Sequence, residues 1–229
     1  MLTIRYLGHS AFAMNDGTRE VLVDPFLTGN PLAAAKQEEF SPVAILLTHA
    51  HNDHVGDTIT IAKRSGAMTV STFELGTYLE SQGVHANYGN HGGTLKFDGG
   101  SAKIVPAWHT SSYSTPDGVV APGVPAGLVV RFGGKTIYFA GDTCLFGDMS
   151  LIGEEGLDIA VIPIGDHFTM GPQDAVRALK LLKPAVAIPC HYNTYPPLKQ
   201  DARAFASEAQ EKAGVKVEVL DPGATYTAE

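Results

Sequence analysis

The segment THAHNDHVGD, residues 48–57, sets three histidines and an aspartate within the six positions from His49 to His54. It follows the apolar run VAILL at 43–47, which reads as a short strand buried on both faces. This crowding constrains the fold more than any other feature. The strand must lie inside a sheet, and its carboxyl end must open where imidazoles and a carboxylate have a use. On an extended segment, His49 and His51 point the same way and can share one ion, because side chains alternate with period two. Asp53 and His54 follow as the chain turns toward a helix, and they aim at a neighbouring position. A lone histidine is most often hydrogen-bonded or solvent-facing, but one mononuclear site would not need all four of these residues.

Around this segment, short strand signals alternate with helical ones. LTIRYL at 2–7, SAFAM at 10–14 and EVLVD at 20–24 read as strands, the last two joined by a turn at Asp16-Gly17. Helices are expected from about Asp57 to Arg64 and from Phe73 to Ser81, with the strand MTVST at 68–72 between them. Hairpins turn at Gly99-Gly100 and Gly133-Gly134, and LDIAVIPI at 157–164 and PAVAIPCH at 184–191 read as buried strands. GPQDAVRALKLL and LKQDARAFASEAQEKAG carry helical spacing, and VKVEVL reads as the last strand. Strand-rich hairpins alternating with helices imply an α/β class, with mixed sheets covered by helices. The 229 residues fit one domain over 1–229, or two closely packed halves, with enough chain to bury a substantial core.

Three more ligand-type residues stand at expected strand ends, where α/β sites are built. His109 follows VPAW, Asp142 follows YFAG, and His191 follows AIPC. Each alone could be a strand-end cap or a turn residue. With His49, His51, Asp53 and His54 they make enough ligands for two ions.

These residues resemble the HxHxDH signature of the metallo-β-lactamase fold superfamily, with the later His109, Asp142 and His191 in that family's order. LGHSAF at 7–12, VDPFLTGNP at 23–31 and PIGDHFTMGPQDA at 163–175 are similar to the metal-dependent hydrolase group related to the ascorbate-phosphate lactonases. The likeness spans essentially the whole chain; its signature is specific for fold and metal site and unspecific for substrate. It implies an αββα sandwich of two mixed β-sheets flanked by helices, with the metals at one edge. It also implies one ion on His49, His51 and His109, a second on Asp53, His54 and His191, and Asp142 bridging them. The di-iron oxidoreductase branch has a glutamate where this chain has His51, which weighs against redox iron chemistry.

The expected chemistry is hydrolysis of an ester, lactone, amide or phosphoester bond in a small substrate. Water between two divalent ions loses a proton near neutrality, and Asp53 would hold that proton and orient the nucleophile. Zinc is the first expectation for both ions, and manganese, nickel or iron suit the same ligands. His167, after the strand IAVIPI, is the candidate for protonating the leaving group or touching substrate, with a backbone-bonded structural role as the alternative. Asp24 is either a partner for a ligand imidazole or a strand-end turn residue before Pro25. His9 is either a support or substrate-edge group or a structural histidine at a hairpin. Cys144 is a weaker candidate for a soft ligand; Cys190 and Trp108 read as core by strand alternation, and Asp166, His85 and His91 as turn or surface residues. The loop TSSYSTPDGVVAPGVPAG at 110–127 is the candidate lid, its alternative being a cover for an exposed core edge or subunit contact.

The bulk composition removes other classes. A net charge of -8 without a basic run argues against a nuclease or other nucleic-acid enzyme of the same fold. A structural protein stapled by metal is the third class, but closed structural zinc sites use four ligands, whereas seven candidates over two ions leave open positions. No apolar run approaches the ~20 residues of a membrane span, and MLTIRYLGHSAF lacks the pattern of a secretory signal. With only Cys144 and Cys190, no disulfide framework is expected, so a reducing cytoplasmic setting is. A homo-oligomer is the base-rate expectation.

Overall fold

In the computed structural model, residues 1–228 are described; Glu229, the last residue of the expected domain span, lies outside them. The first half runs β1 (Leu2–Gly8), β2 (Ala11–Asn15), β3 (Glu20–Val23), β4 (Ala44–Leu46), α1 (Asn52–Val55), α2 (Thr58–Ser65), β5 (Met68–Thr72), α3 (Phe73–Ser81) and β6 (Ala86–Gly89). Next come β7 (Thr94–Phe97), β8 (Gly100–Pro106), β9 (Tyr113–Thr115), β10 (Gly118–Val120), β11 (Ala126–Phe132) and β12 (Lys135–Phe139). The chain ends with α4 (Met149–Gly153), β13 (Ile159–Pro163), α5 (Pro172–Leu182), β14 (Val186–Cys190), α6 (Ala202–Ala213), β15 (Lys216–Val217) and β16 (Thr225–Ala228).

Two seven-stranded sheets result, ordered β16-β1-β2-β3-β4-β5-β6 and β15-β14-β13-β12-β11-β8-β7. Each is antiparallel where hairpins build it and parallel along β3-β4-β5-β6 and β12-β13-β14-β15, where helices make every crossover but that of β3 to β4, which the segment 24–43 joins. Alternate residues of β1 (Leu2, Ile4, Tyr6) join Phe12, Met14 and Leu46 in facing Ile104, Leu128, Val130, Phe132, Ile137 and Ile188 of the other sheet. The opposite faces are covered by helices. Ile61, Leu75 and Leu79 pack on Leu22 and Ile45, while Val176, Leu179, Leu182 and Phe205 pack on Tyr138, Ala160 and Ile162. That is why VAILL and IAVIP read as unbroken apolar runs: these strands are buried on both faces. The αββα sandwich is the architecture expected from the sequence.

Three local expectations are corrected. The helix expected from Leu198 begins at Ala202, because the Asp201 carboxylate caps it by accepting from the amides of Arg203 and Ala204. VKVEVL contributes only the two-residue β15, and the last strand is β16, which returns to pair with β1. The loop 110–127 carries the short β9-β10 hairpin of its own. Among the described residues, no helix is long and apolar enough to cross a membrane.

The carboxyl ends of β3, β4, β8, β12 and β14 all lead into one edge of the sandwich. At that edge α1 stops after one turn at Gly56, whose φ is 43°. A Cβ there would lie 2.5 Å from both Phe26 Cα and the Pro25 oxygen. The close approach lets the next residue, Asp57, clasp the 25–28 segment: its amide donates to Pro25 O, and its carboxylate accepts from the amides of Leu27 and Thr28. Gly66, with φ 76° and nothing within 4 Å of the place a Cβ would occupy, supplies the control. Gly56→Ala is expected to cost about 3 kcal/mol, from left-handed strain plus overlap, and to lower Tm by roughly 6–12 °C. Gly66→Ala should cost only about 1 kcal/mol; thermal denaturation of both variants checks the difference.

Candidate metal centre

The first ligand segment divides at His51. His51 is extended (φ -61°, ψ 148°) and caps α1, so His49 and His51 lie on strand-like backbone while Asp53 and His54 lie on the helical turn. His49 Nε2 and His51 Nδ1 converge to 3.0 Å. The His109 ring meets both, with centroids 5.3 Å from His49 and 5.1 Å from His51. The His54 ring packs 4.0 Å from that of His49 and 5.9 Å from that of His191. Ligand atoms of His49, His51 and His109 lie within 4.8 Å of one another, as do those of His9, Asp53, His54 and His191 and those of His49, His54 and Asp142.

Asp142 stands where these groups meet. Its Oδ2 is 3.0 Å from His191 Nε2 and 3.6 Å from His109 Nε2, and its Oδ1 is 3.3 Å from His54 Nε2. The last contact is close enough for an ion pair, yet neither atom makes a hydrogen bond, and both are fully buried. Two buried polar atoms facing each other without a hydrogen bond are costly in a protein interior unless something completes them. A cation between them would. All seven expected ligands therefore come together, and their donor set suits divalent metal ions.

Electrostatics agree with that role. Burial pushes His49, His51 and His109 below the ordinary imidazole range, which leaves nitrogen lone pairs free at neutral pH. For His54 burial acts in the same direction, but the Asp142 and Asp24 carboxylates outweigh it and raise the pKa well above the usual value. Burial would raise Asp142 and Asp53. Instead, His191 and His54 hold Asp142 well below the carboxylate range, and a hydrogen bond from His9 with the nearby His54 lowers Asp53. The site is thus built to keep its carboxylates ionised inside the protein.

Asp24 takes the supporting role weighed against a turn. Its Oδ2 accepts from His54 Nδ1 at 2.8 Å, while its Oδ1 accepts from the Thr48 amide at 2.9 Å. Thr48 is the residue that sequence reasoning missed. Its hydroxyl donates to Asp24 Oδ2 at 2.6 Å, so it is left to accept from His49 Nδ1 at 3.0 Å. One buried hydroxyl and one carboxylate therefore hold a proton on Nδ1 of His49 and of His54, so that Nε2 of each is the atom turned to the centre, where a cation would take the place of any second proton on His54. The signal was present, since Thr48 is the last residue before the first histidine, but its partner lies 24 positions away.

A cavity of about 330 Å³ opens over the centre, lined by His51, Asp53, His109, Thr110, Asp142, Phe168 and His191. A larger concavity of about 510 Å³, lined by Leu27, Thr28 and residues 33–39, holds none of the ligand cluster. His167 is exposed and not among the lining residues; its ring stands 4.5 Å from that of Phe168, which does line the cavity and is 54% exposed. Asp166 is an exposed turn residue, as expected, and His85 and His91 are exposed. Cys144 is exposed and outside the clusters, and Cys190 lies in the core. Trp108 overturns its expectation: it is 66% exposed, because β8 ends at Pro106 and strand alternation no longer governs it. Of the loop 110–127, only Thr110 lines the cavity; Ser111 Oγ accepts from the Ala50 amide, and Ser114 exchanges two hydrogen bonds with the Asn52 side chain. Lys103 and Arg131 both pair with Glu155, away from the cavity.

Thr48→Val keeps the shape and removes the hydroxyl. Losing its hold on Asp24 and His49 should weaken zinc binding about 10- to 100-fold and destabilise the chain by roughly 1–3 kcal/mol. Chelator competition and thermal denaturation measure the two effects.

A family model described as a beta-lactamase superfamily domain matches residues 19–192. A Thermus thermophilus protein named UPF0173 metal-dependent hydrolase is 55% identical over 223 residues, covering 97% of each chain. A Deinococcus radiodurans protein of the same name is 48% identical over 229 residues, covering 98% of this chain and 99% of its own. Among solved structures, Igni18, described as a novel metallo hydrolase from the hyperthermophilic archaeon Ignicoccus hospitalis, aligns with TM-score 0.91 at 37% identity. That alignment covers 100% of this chain and 98% of Igni18. The resemblance carried by THAHNDHVGD thus extends through sequence and fold alike, and the chain belongs to the metallo-β-lactamase fold superfamily, in the family of its Thermus and Deinococcus relatives.

Proposed function

We propose that this protein is a binuclear metal-dependent hydrolase acting on an ester, lactone, amide or phosphoester bond of a small substrate. The single observation that carries the reading is the buried, hydrogen-bond-free pair of His54 Nε2 and Asp142 Oδ1 at the meeting point of the imidazoles. His49, His51 and His109 would hold one ion, zinc before manganese, nickel or iron; Asp53, His54 and His191 would hold the other, with Asp142 between. The names of the Thermus and Deinococcus relatives and of Igni18 agree with metal-dependent hydrolysis.

When bound, two divalent ions would supply Lewis acidity toward the scissile bond and would bring the pKa of water down toward about 7. The chain's own residues do the rest. Asp142, fixed by His54 and His191, sets the separation of the two ligand sets. Asp53 is partly exposed at the cavity, and its ionised carboxylate can take a proton from attacking water and orient it. The imidazole of His167, at the rim beside Phe168, is assigned to protonate the leaving oxygen. The cavity volume suits a small molecule, and no lysine or arginine is among its lining residues. That lining favours a neutral ester or lactone over a phosphorylated one, and the acidic balance of the chain speaks against nucleic acid.

Metal analysis of purified protein, followed by a panel of ester, lactone and phosphodiester substrates, tests the reading. Turnover should vanish on chelation and return with zinc or manganese. His49→Ala and Asp53→Ala should each abolish turnover while circular dichroism shows a folded chain; full activity in either would refute the assigned roles. His167→Ala should slow alkyl esters, whose alkoxide needs a proton, about 10²-fold, and slow nitrophenyl esters far less. Equal slowing of both would remove His167 from the proton-transfer step.

A further inference from the structure

The turn between β1 and β2 supplies none of the seven ligands, yet it reaches the centre through His9. The strand register shifts between Tyr6 and Gly8, a bulge that re-aims the following residue, and His9 takes a left-handed conformation with φ 58°. Such backbone is unfavourable for a non-glycine residue and persists where surrounding structure enforces it. Here it serves two contacts at once. The His9 carbonyl accepts from the amide of His191 at 2.8 Å and from the Tyr6 hydroxyl at 3.1 Å. The His9 imidazole, fully buried, packs 4.1 Å from the His191 ring and reaches Asp53 Oδ2 through Nε2 at 3.1 Å.

The direction of that last bond follows from its partners. A carboxylate oxygen accepts, so the contact with Asp53 Oδ2 places the His9 proton on Nε2. Nδ1 is then an acceptor, and the buried Thr194 hydroxyl, 2.8 Å away, donates to it. Both His9 nitrogens are therefore occupied by protein partners, although the ring lies among the ligands of the Asp53, His54 and His191 group. Asp53 Oδ2 is taken by His9, and the residue itself lines the cavity.

We propose that His9 is a positioning residue: with Thr194 fixing its tautomer, it locks Asp53 and His191 into the geometry in which they receive one of the two ions. The proposal rests on the two-ion reading above. It makes a prediction that a general contribution to folding would not, because only one ligand set touches His9. Stepwise zinc affinities, measured by competition with a chelator of known affinity, separate the possibilities. In His9→Ala, one ion should bind about 10- to 100-fold more weakly while the other is unchanged. His9→Gln, whose side-chain amide can donate from nearly the same place, should recover most of that loss. Thr194→Val, which leaves the imidazole in place but removes the hydroxyl that sets its tautomer, should weaken the same ion to a smaller degree.

Wild-type protein that takes up fewer than two ions contradicts the two-ion reading itself. Wild-type protein with two ions, together with unchanged affinities in His9→Ala and Thr194→Val, overturns only the role given to His9. A loss falling equally on both ions, or no recovery in His9→Gln, would do the same. If His9→Ala does not fold, Thr194→Val decides alone.

Discussion

Removing a carboxylate from water costs several kcal/mol unless opposite charge and hydrogen bonds compensate. Asp142 is 3% exposed and has three imidazoles as its neighbours. That constraint organises the molecule. Asp142 follows a strand of the second sheet, His54 follows one of the first, and His109 and His191 come from separate strands of the second. The charge is tolerable only where both sheet edges meet, so the sandwich and the centre require each other. A chain that buried Asp142 without this company would protonate it or fail to close.

Around the seven proposed ligands lies a second layer whose hydrogen bonds decide which nitrogen faces the centre. Thr48 and Asp24 set the protons of His49 and His54 from the β3 and β4 side. His9 and Thr194 hold Asp53 from the β1–β2 turn and the segment after β14. Each support pairs a short hydroxyl-bearing residue with an ionisable one, so a single hydroxyl proton settles a tautomer. The arrangement is rigid because its members sit on strand ends or in enforced left-handed turns: Asp24, His9 and His191 all have positive φ.

How much of this could be read from the chain alone depended on range. His49, His51, Asp53 and His54 are legible because six consecutive positions state them, and the strand that precedes them is apolar on both faces. His109, Asp142 and His191 are legible one step less directly, as polar residues placed after apolar strands. Asp24 could be weighed only evenly against a turn, and Thr48 escaped notice, because their meeting is a contact between strands. The partner of His9 lies 44 residues away, and nothing local distinguishes it from a hairpin histidine. β16 was missed for the same reason: its partner is at the other end of the chain. Trp108 shows the opposite failure, a local rule carried two residues past the strand to which it applied.

The central claim is that Asp142 stands between two divalent ions, one on His49, His51 and His109 and one on Asp53, His54 and His191. Anomalous diffraction from zinc-loaded crystals measures this directly. Two peaks about 3.5–4 Å apart, each in contact with one of those ligand sets and both with Asp142, are the predicted result. A single peak, or peaks that leave Asp142 untouched, would contradict it.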